Sequence, residues 1–297
     1  MPNDSETGSS TGVLDLTDEF AGLDQLELGG EPQQSNARRL WSLTWPKLAA
    51  IGIGIGIWQV VVWSGWKPKH ALAPPSEAFS DLWEMLKDGT LTDALQTTLK
   101  RSAVGFAMAL VIGTAVGAVV ASFGVVRVAV GSMITGLQTM PSIAWFPLAV
   151  LLFKRSESAI TFVVVLGAAP SIANGLITGV DQIPPILKRA GRVLGARGLD
   201  SFRYVVLPAS LPSFVGGLKQ GWAFAWRSLM AGELLNVVIG KPSLGQLLTI
   251  NRDFNDSSGL LATMIVILLV GLVIDALFFG TLDRAIRRRW GLVDSTT

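Results

Sequence analysis

The chain has 297 residues, 50% of them hydrophobic and only 15% charged, with a mean hydropathy of +0.49. Soluble domains average roughly 25% charged residues, so this chain lacks the groups needed to coat a water-facing surface. It has no cysteine and a single histidine, His70 in a polar loop. That excludes a disulfide frame, a thiolate metal site and a cysteine nucleophile, and it argues against a zinc or catalytic histidine cluster; no metal or cofactor is expected.

The formal net charge of +2 conceals an asymmetry. Before Arg38 there are eight acidic residues and no Lys or Arg. Residues 1–37 are rich in Ser, Thr, Gly, Asp and Glu, too polar to bury a core, and are expected to be a disordered acidic cytoplasmic tail. A signal peptide needs a basic start and an early apolar run, and neither is present at the start of this sequence. Residues 38–290 then carry the apolar segments, and 291–297 form a short C-terminal tail. The Lys and Arg residues of this region are scattered between apolar runs rather than gathered in a stripe, which argues against nucleic acid as a partner.

The first span is expected over about 46–63. Its Ile51-Gly-Ile-Gly-Ile-Gly-Ile57 run has no glycine at the third position of a dinucleotide fingerprint, and Trp45, Trp58, Trp63 and Trp66 flank it as interfacial anchors do. A short amphipathic helix follows over about 76–86, after the Pro74-Pro75 breaker. The second span covers about 102–123, with Gly113-x-x-x-Gly117 as a close-contact surface. The third covers about 128–153 and is broken by Pro141 and Pro147, as a gate or as passive kinks. The fourth covers about 159–180 and carries Gly175-x-x-x-Gly179. A basic loop occupies 181–208, the fifth span runs over about 211–238 and the sixth over about 260–279. Six spans of about 20 residues match an apolar bilayer core about 30 Å thick and put both termini on one side. The 181–208 loop, Arg127 and Arg284, Arg287, Arg288 and Arg289 share that side, so both termini are expected in the cytoplasm of a bacterial cell membrane.

Within the loop, Arg189-Ala-Gly-Arg-Val-Leu-Gly-Ala196 precedes Val205-Val-Leu-Pro-Ala-Ser-Leu-Pro212. This resembles the cytoplasmic signature of permease subunits of ATP-binding-cassette importers, Glu-Ala-Ala followed by Gly-Ala and a downstream Leu-Pro-Ala-x-x-Pro. Its continuation through Gly217 to Leu234 resembles the branch that imports sulfonates, taurine, nitrate or bicarbonate. The likeness covers about residues 95–280. Two positions depart from it: Arg189 stands where Glu is usual, and Gly191 where Ala is usual.

The resemblance implies an all-α polytopic permease with the type I importer fold and no catalytic residue of its own. It implies separate ATP-binding-cassette ATPase subunits, an extracellular or periplasmic substrate-binding protein, a permease homodimer and a surrounding lipid bilayer. It also implies coupling to the ATPase through Arg189, Ala190, Gly191, Leu194, Gly195 and Ala196. Small residues there would let the backbone approach a partner groove, and the basic residues would steer docking; an ordinary cytoplasmic connector is the other reading. The chain has no P-loop, since its Gly240-Lys241 is followed by Pro242 and Leu235 occupies the required earlier glycine position. The implied cargo is a small oxyanion, an aliphatic sulfonate first, then taurine, nitrate or bicarbonate.

Charged residues within spans are costly and often functional; those expected here are Lys219, Arg227, Glu233 and Asp275. On a helical wheel Lys219, Trp222, Trp226 and Glu233 lie within about 60° of one another, with Arg227 about 80° from Lys219. Two readings stand. In one, this stripe faces the translocation route and its cations favour an anionic head group. In the other, the tryptophans pack between helices and Arg227 pairs with Glu233 or Asp275. An ion-coupled secondary transporter is the rival function, with Glu233 and Asp275 as proton carriers.

Overall fold

The structure is a computed structural model that describes residues 36–289 apart from 69, 236, 237 and 239. Apart from residues 36 and 37, the acidic tail expected over 1–37 lies outside the described residues, as does the tail expected over 291–297. Among the described residues the secondary structure is helical throughout, with no strand. The first helix, α1, spans Asn36–Trp63 and includes the Gly-Ile run. The chain divides into two units at Ile57 and Trp58. In the first unit, Trp45, Ile51, Ile53 and Ile57 are exposed, the surface expected of a helix whose apolar surroundings are lipid.

In the second unit, α2 spans Pro75–Lys87, α3 Thr90–Ser122, α4 Gly124–Thr139, α5 Phe146–Phe153 and α6 Glu157–Asp181. Next come α7 Pro185–Val193, α8 Leu207–Leu235, α9 Leu244–Asp253, α10 Ser257–Ile274 and α11 Gly280–Arg289. Single π-helical stretches at Phe202–Val206 and Asp275–Phe279 lead into α8 and join α10 to α11.

Four segments are long and apolar enough to cross a bilayer: Thr44–Trp63, Thr90–Ser122, Glu157–Asp181 and Ser257–Arg289. A further crossing is the pair Gly124–Thr139 and Ser142–Phe153, bent by 101°. With 29 residues, α8 reaches about 43 Å at 1.5 Å per residue, long enough to cross, although its Gly, Ser, Lys and Gln content makes it less apolar than the others. The six-span arrangement is compatible with this set.

The bend of the third span comes from Pro141 alone. Proline disfavours helical backbone in the residue before it, and Met140 is extended at ψ 127. Pro147 sits in the first turn of α5, where its missing N–H costs nothing. The reading that both prolines break the span is therefore corrected at Pro147, which starts a helix.

The core is built on α6, which packs against α8 on one side and α3 on the other. Glycine permits this approach. A β-carbon built on Gly175 would stand 2.5 Å from Gly217 Cα, and one built on Gly113 would stand 2.6 Å from Ala169 O. With little hydrophobic drive between helices in lipid, such close packing is the main source of cohesion. Around these contacts Ala109, Ile160, Val164, Ile172, Leu229 and Phe279 form the main buried cluster.

One element was not expected from the sequence. Helix α9 lies between the fifth and sixth spans, starts at Ser243, whose side chain accepts from Gln246 N, and buries Leu244 and Leu247. Helix α3 also begins at Thr90, well before the expected start of the second span. Leu91, Ala94, Thr98, Arg101, Gly105, Ala109, Gly113 and Gly117 are all buried in it, and their spacing of three or four residues is that of a single helical face.

Candidate functional site

The loop of the importer-like signature forms α7 and its exit. Gly195 has φ 88, Gly195 N donates to Arg192 O at 3.1 Å, and Ala196 N donates to Gly191 O at 2.9 Å. This pair of bonds is a Schellman ending, which needs a residue at positive φ and so selects glycine. Gly191 is buried, and a β-carbon on it would stand 2.7 Å from Val205 Cγ2. Gly191 therefore makes room for a contact inside the loop, and Gly195, exposed with open space beside it, makes the turn; the sequence led us to expect both to open the backbone to a partner. The outward surface is different. Val193 and Leu194 are 87% and 86% exposed, Ile186 is exposed beside them, and Arg189, Ala190 and Arg192 are also exposed. Arg189 has no carboxylate partner among the described residues, and Ala196 is half-buried. At the same end of α6, Asp181 accepts from Arg127 Nη1 at 2.5 Å, fixing the start of α4 to the loop.

Along α8 the expected stripe divides. Trp222 and Trp226 are buried and stacked, ring centroids 6.1 Å apart at 24°, and Trp222 meets Phe106 edge to face at 5.4 Å. Both rings also line a cavity of about 700 Å³ between α8 and α10, whose polar rim is Arg227 and Asp275. Lys219 is exposed, with Nζ 3.2 Å from Asp275 Oδ2.

Glu233 is 0% exposed. It accepts from Arg101 Nη1 at 3.0 Å, Thr98 Oγ1 at 3.0 Å and Gly245 N at 3.1 Å. Arg101, 8% exposed, also donates to both oxygens of Glu157 at 2.7 Å. Lys241 Nζ lies 3.3 Å from Glu157, and Leu244 N donates to Thr98 Oγ1 at 3.0 Å. Two cations and two carboxylates thus tie α3, α6, α8 and the start of α9 at the end of the bundle remote from the signature loop.

The suggested pairing of Arg227 with Glu233 or Asp275 does not form, because Arg101 and Lys219 already hold those carboxylates. Arg101 was missed by the sequence reading, which began the second span one residue later. The signal was present in the small-residue stripe, which continues back through Thr98 and Ala94.

Arg227 is exposed and has no carboxylate among the described residues. Its Nε donates to Ala223 O of its own helix at 3.2 Å, and its guanidinium lies 5.1 Å from the Phe224 ring centroid. The fork of its two Nη groups has no hydrogen-bond partner among the described residues. It lines the 700 Å³ cavity on one side and a second cavity, of about 390 Å³, on the other.

A helical membrane bundle with a basic signature loop at one end and an unpaired cation between two cavities has the fold of a transporter's membrane subunit. Solved structures agree on the fold. An inward-facing MetNI methionine ABC transporter chain matches with a TM-score of 0.56 and 19% identity, over 66% of this chain and 96% of that one. A chain of an amino acid ABC transporter with histidines matches at 0.52 and 20%, over 70% and 98%. Residues 109–288 match the family described as "Binding-protein-dependent transport system inner membrane component", and the chain belongs to that family. Its relatives include the nitrate import permease NrtB of Leptolyngbya laminosa, 30% identical over 78% of this chain and 84% of that protein. Another is SsuC of Bacillus subtilis, named for aliphatic sulfonates transport, 26% identical over 77% and 82%. The protein is thus a multi-pass membrane component of an ABC importer.

Proposed function

We propose that this chain carries a small oxyanion across the cell membrane as half of a permease homodimer, an aliphatic sulfonate first, with taurine, nitrate or bicarbonate next. The observation that carries the anion reading is Arg227, a cation of α8 that no carboxylate among the described residues neutralises and that borders both cavities. A charge at membrane depth is costly without a counter-charge, and a transported anion supplies one transiently. The names of the nitrate and sulfonate relatives point to the same class of cargo.

The pathway residues then take different parts. Arg227 meets the anion. Lys219 and Asp275 form a half-exposed pair further along the route, and Trp222 and Trp226 form its rigid wall. Glu233 holds the outer end together and does not contact cargo. Alternating access is driven by ATP binding and hydrolysis in separate ATPase subunits. These dock on the exposed face of α7, where the apolar Val193 and Leu194 give affinity and Arg189 and Arg192 give register. Ala190 borders that face, Gly191 and Ala196 shape it from within, and the exposed Gly195 turns the chain beside it. The signature loop and both termini are on the cytoplasmic side, as the excess of Lys and Arg there favours, and a binding protein delivers cargo to the other side.

A proton-coupled carrier would need Glu233 and Asp275 free to exchange protons. Both are engaged by cations, and the family is that of binding-protein-dependent systems.

The test is uptake into proteoliposomes that hold the permease, its ATPase and an external binding protein. Accumulation of butanesulfonate that requires internal ATP and is abolished by Arg227→Gln is expected. Uptake that proceeds without the ATPase and collapses with the proton gradient would sink the importer reading.

A further inference from the structure

The smaller cavity lies where the third span breaks. Its walls come from the end of α4, the single turn Ser142–Trp145, the middle of α6 and the outward face of α8. We infer that this cavity, about 390 Å³, is an intramembrane binding site for an organic oxyanion, with Arg227 and Ser142 holding the head group and Trp145, Leu166 and Phe224 enclosing a short apolar tail. The inference rests on the oxyanion reading above and narrows it.

Three observations carry it. The first is donor supply. Among the described residues Arg227 spends only Nε, so both Nη groups remain as a planar fork of the kind that grips a carboxylate or sulfonate through two oxygens. The Phe224 face holds that fork in place, which limits the entropy lost on binding. The Ser142 hydroxyl has no hydrogen-bond partner among the described residues. By contrast, Gln138 Nε2 is committed to Ser171 Oγ at 3.1 Å and Thr139 Oγ1 to Gly136 O at 2.8 Å, so these two frame the site.

The second is the reason the space exists. Pro141 turns the chain through the 101° bend, and irregular backbone at membrane depth is tolerated only beside protein or a cavity. Gly167 on α6 keeps the floor open, since a β-carbon there would run into the Ser228 hydroxyl and stand 3.4 Å from Ser142 Cβ.

The third is size. A bare oxyanion of four or five heavy atoms occupies on the order of one to two water volumes, ~30–60 Å³, a small part of the cavity. The remainder is bordered by Trp145, Leu166 and Phe224, and an alkyl tail of a few carbons gains from filling it. An organic sulfonate therefore suits this site better than nitrate or bicarbonate does.

The experiment measures binding of butanesulfonate, with nitrate as competitor, to the full-length permease in lipid nanodiscs. Butanesulfonate is expected to bind, and nitrate to compete at least about tenfold more weakly. Losing a charge-assisted hydrogen bond costs ~1.5–3 kcal/mol, so Arg227→Gln is expected to weaken butanesulfonate binding about tenfold to a hundredfold. Arg227→Lys, which keeps the charge and loses the fork, is expected to fall between, and Ser142→Ala to lose a few-fold. Arg252→Gln, an exposed control paired with Asp253, should bind as the unaltered chain does. Variants are compared only where their thermal unfolding matches that of the unaltered chain.

Binding unaltered by Arg227→Gln, or nitrate binding as tightly as butanesulfonate, would overturn the site. The importer reading fails separately. If butanesulfonate binds as described while the assembled transporter takes it up without ATP, the site stands and the importer does not. If ATP-driven uptake is intact and Arg227→Gln binds normally, the reverse holds.

Discussion

Two charged residues six positions apart on α8 are handled in opposite ways. Glu233 is sealed from solvent and accepts three hydrogen bonds, one of them from Arg101, which is itself clamped on Glu157. Arg227 has a carbonyl of its own turn and an aromatic face, with open space on both sides. A buried charge that is paired and hydrogen-bonded is tolerated by the fold, and removing one partner strands the other. A cation left without a counter-charge beside a cavity makes no such tie, and under the reading proposed above it is the group that meets the anion. The contrast separates a structural tie at the end of the bundle remote from the signature loop from the proposed pathway.

The comparison is broken most directly at Arg101. Arg101→Met leaves Glu233 buried without its cation and is expected to destabilise the protein by about 3–5 kcal/mol, read as a fall in thermal unfolding temperature in detergent. The double change Arg101→Met with Glu233→Met should recover much of that loss. Failure of the double variant to recover would mean that the tie is not what Glu233 contributes.

A smaller effect is expected at the helix crossing. Gly175→Ala would push its β-carbon into Gly217 Cα and force α6 and α8 apart, costing about 1–3 kcal/mol as overpacking does. Gly216→Ala on α8, next to Gly217 in sequence, has open space and serves as the control.

Gly195→Ala places a side chain at φ 88, for a cost of about 1–2 kcal/mol confined to the end of α7. It should reduce ATPase stimulation by the assembled transporter more than it lowers the unfolding temperature. Equal loss in both would argue against a docking role for the loop.

The smallest change in stability is expected at Lys219→Gln. Half-exposed ion pairs contribute about 0–1 kcal/mol, so unfolding should barely move. Transport of butanesulfonate should fall if the Lys219–Asp275 pair borders the route, and unchanged transport would remove it from the pathway.

How legible the molecule is from its sequence varies by region. The apolar runs, the Gly-x-x-x-Gly surfaces and the signature loop are local patterns, and each corresponds to an element or contact in the structure. The charged residues are different. Glu233 and Arg227 read alike along the chain, as charges in an apolar span, and Arg101 reads as a flanking residue. Their distinction depends on a cation 132 residues away for Glu233 and, for Arg227, on there being no carboxylate beside it among the described residues. Helix α9 escaped notice for a related reason: its start is fixed by Thr98 and Glu233 on other helices, and its own sequence is short and of mixed polarity.

Composition and periodicity by themselves determined that this chain is a helical membrane protein, roughly where its spans lie, and through one short motif which family of transporter it resembles. These are properties of segments, set by the length of an apolar run against the thickness of a bilayer and by side-chain spacing along a helix. Only the tertiary structure decided which charges neutralise one another, which glycines admit a neighbouring backbone and where space is left between helices. Those depend on what residues distant in sequence place beside each group, and no local pattern encodes that.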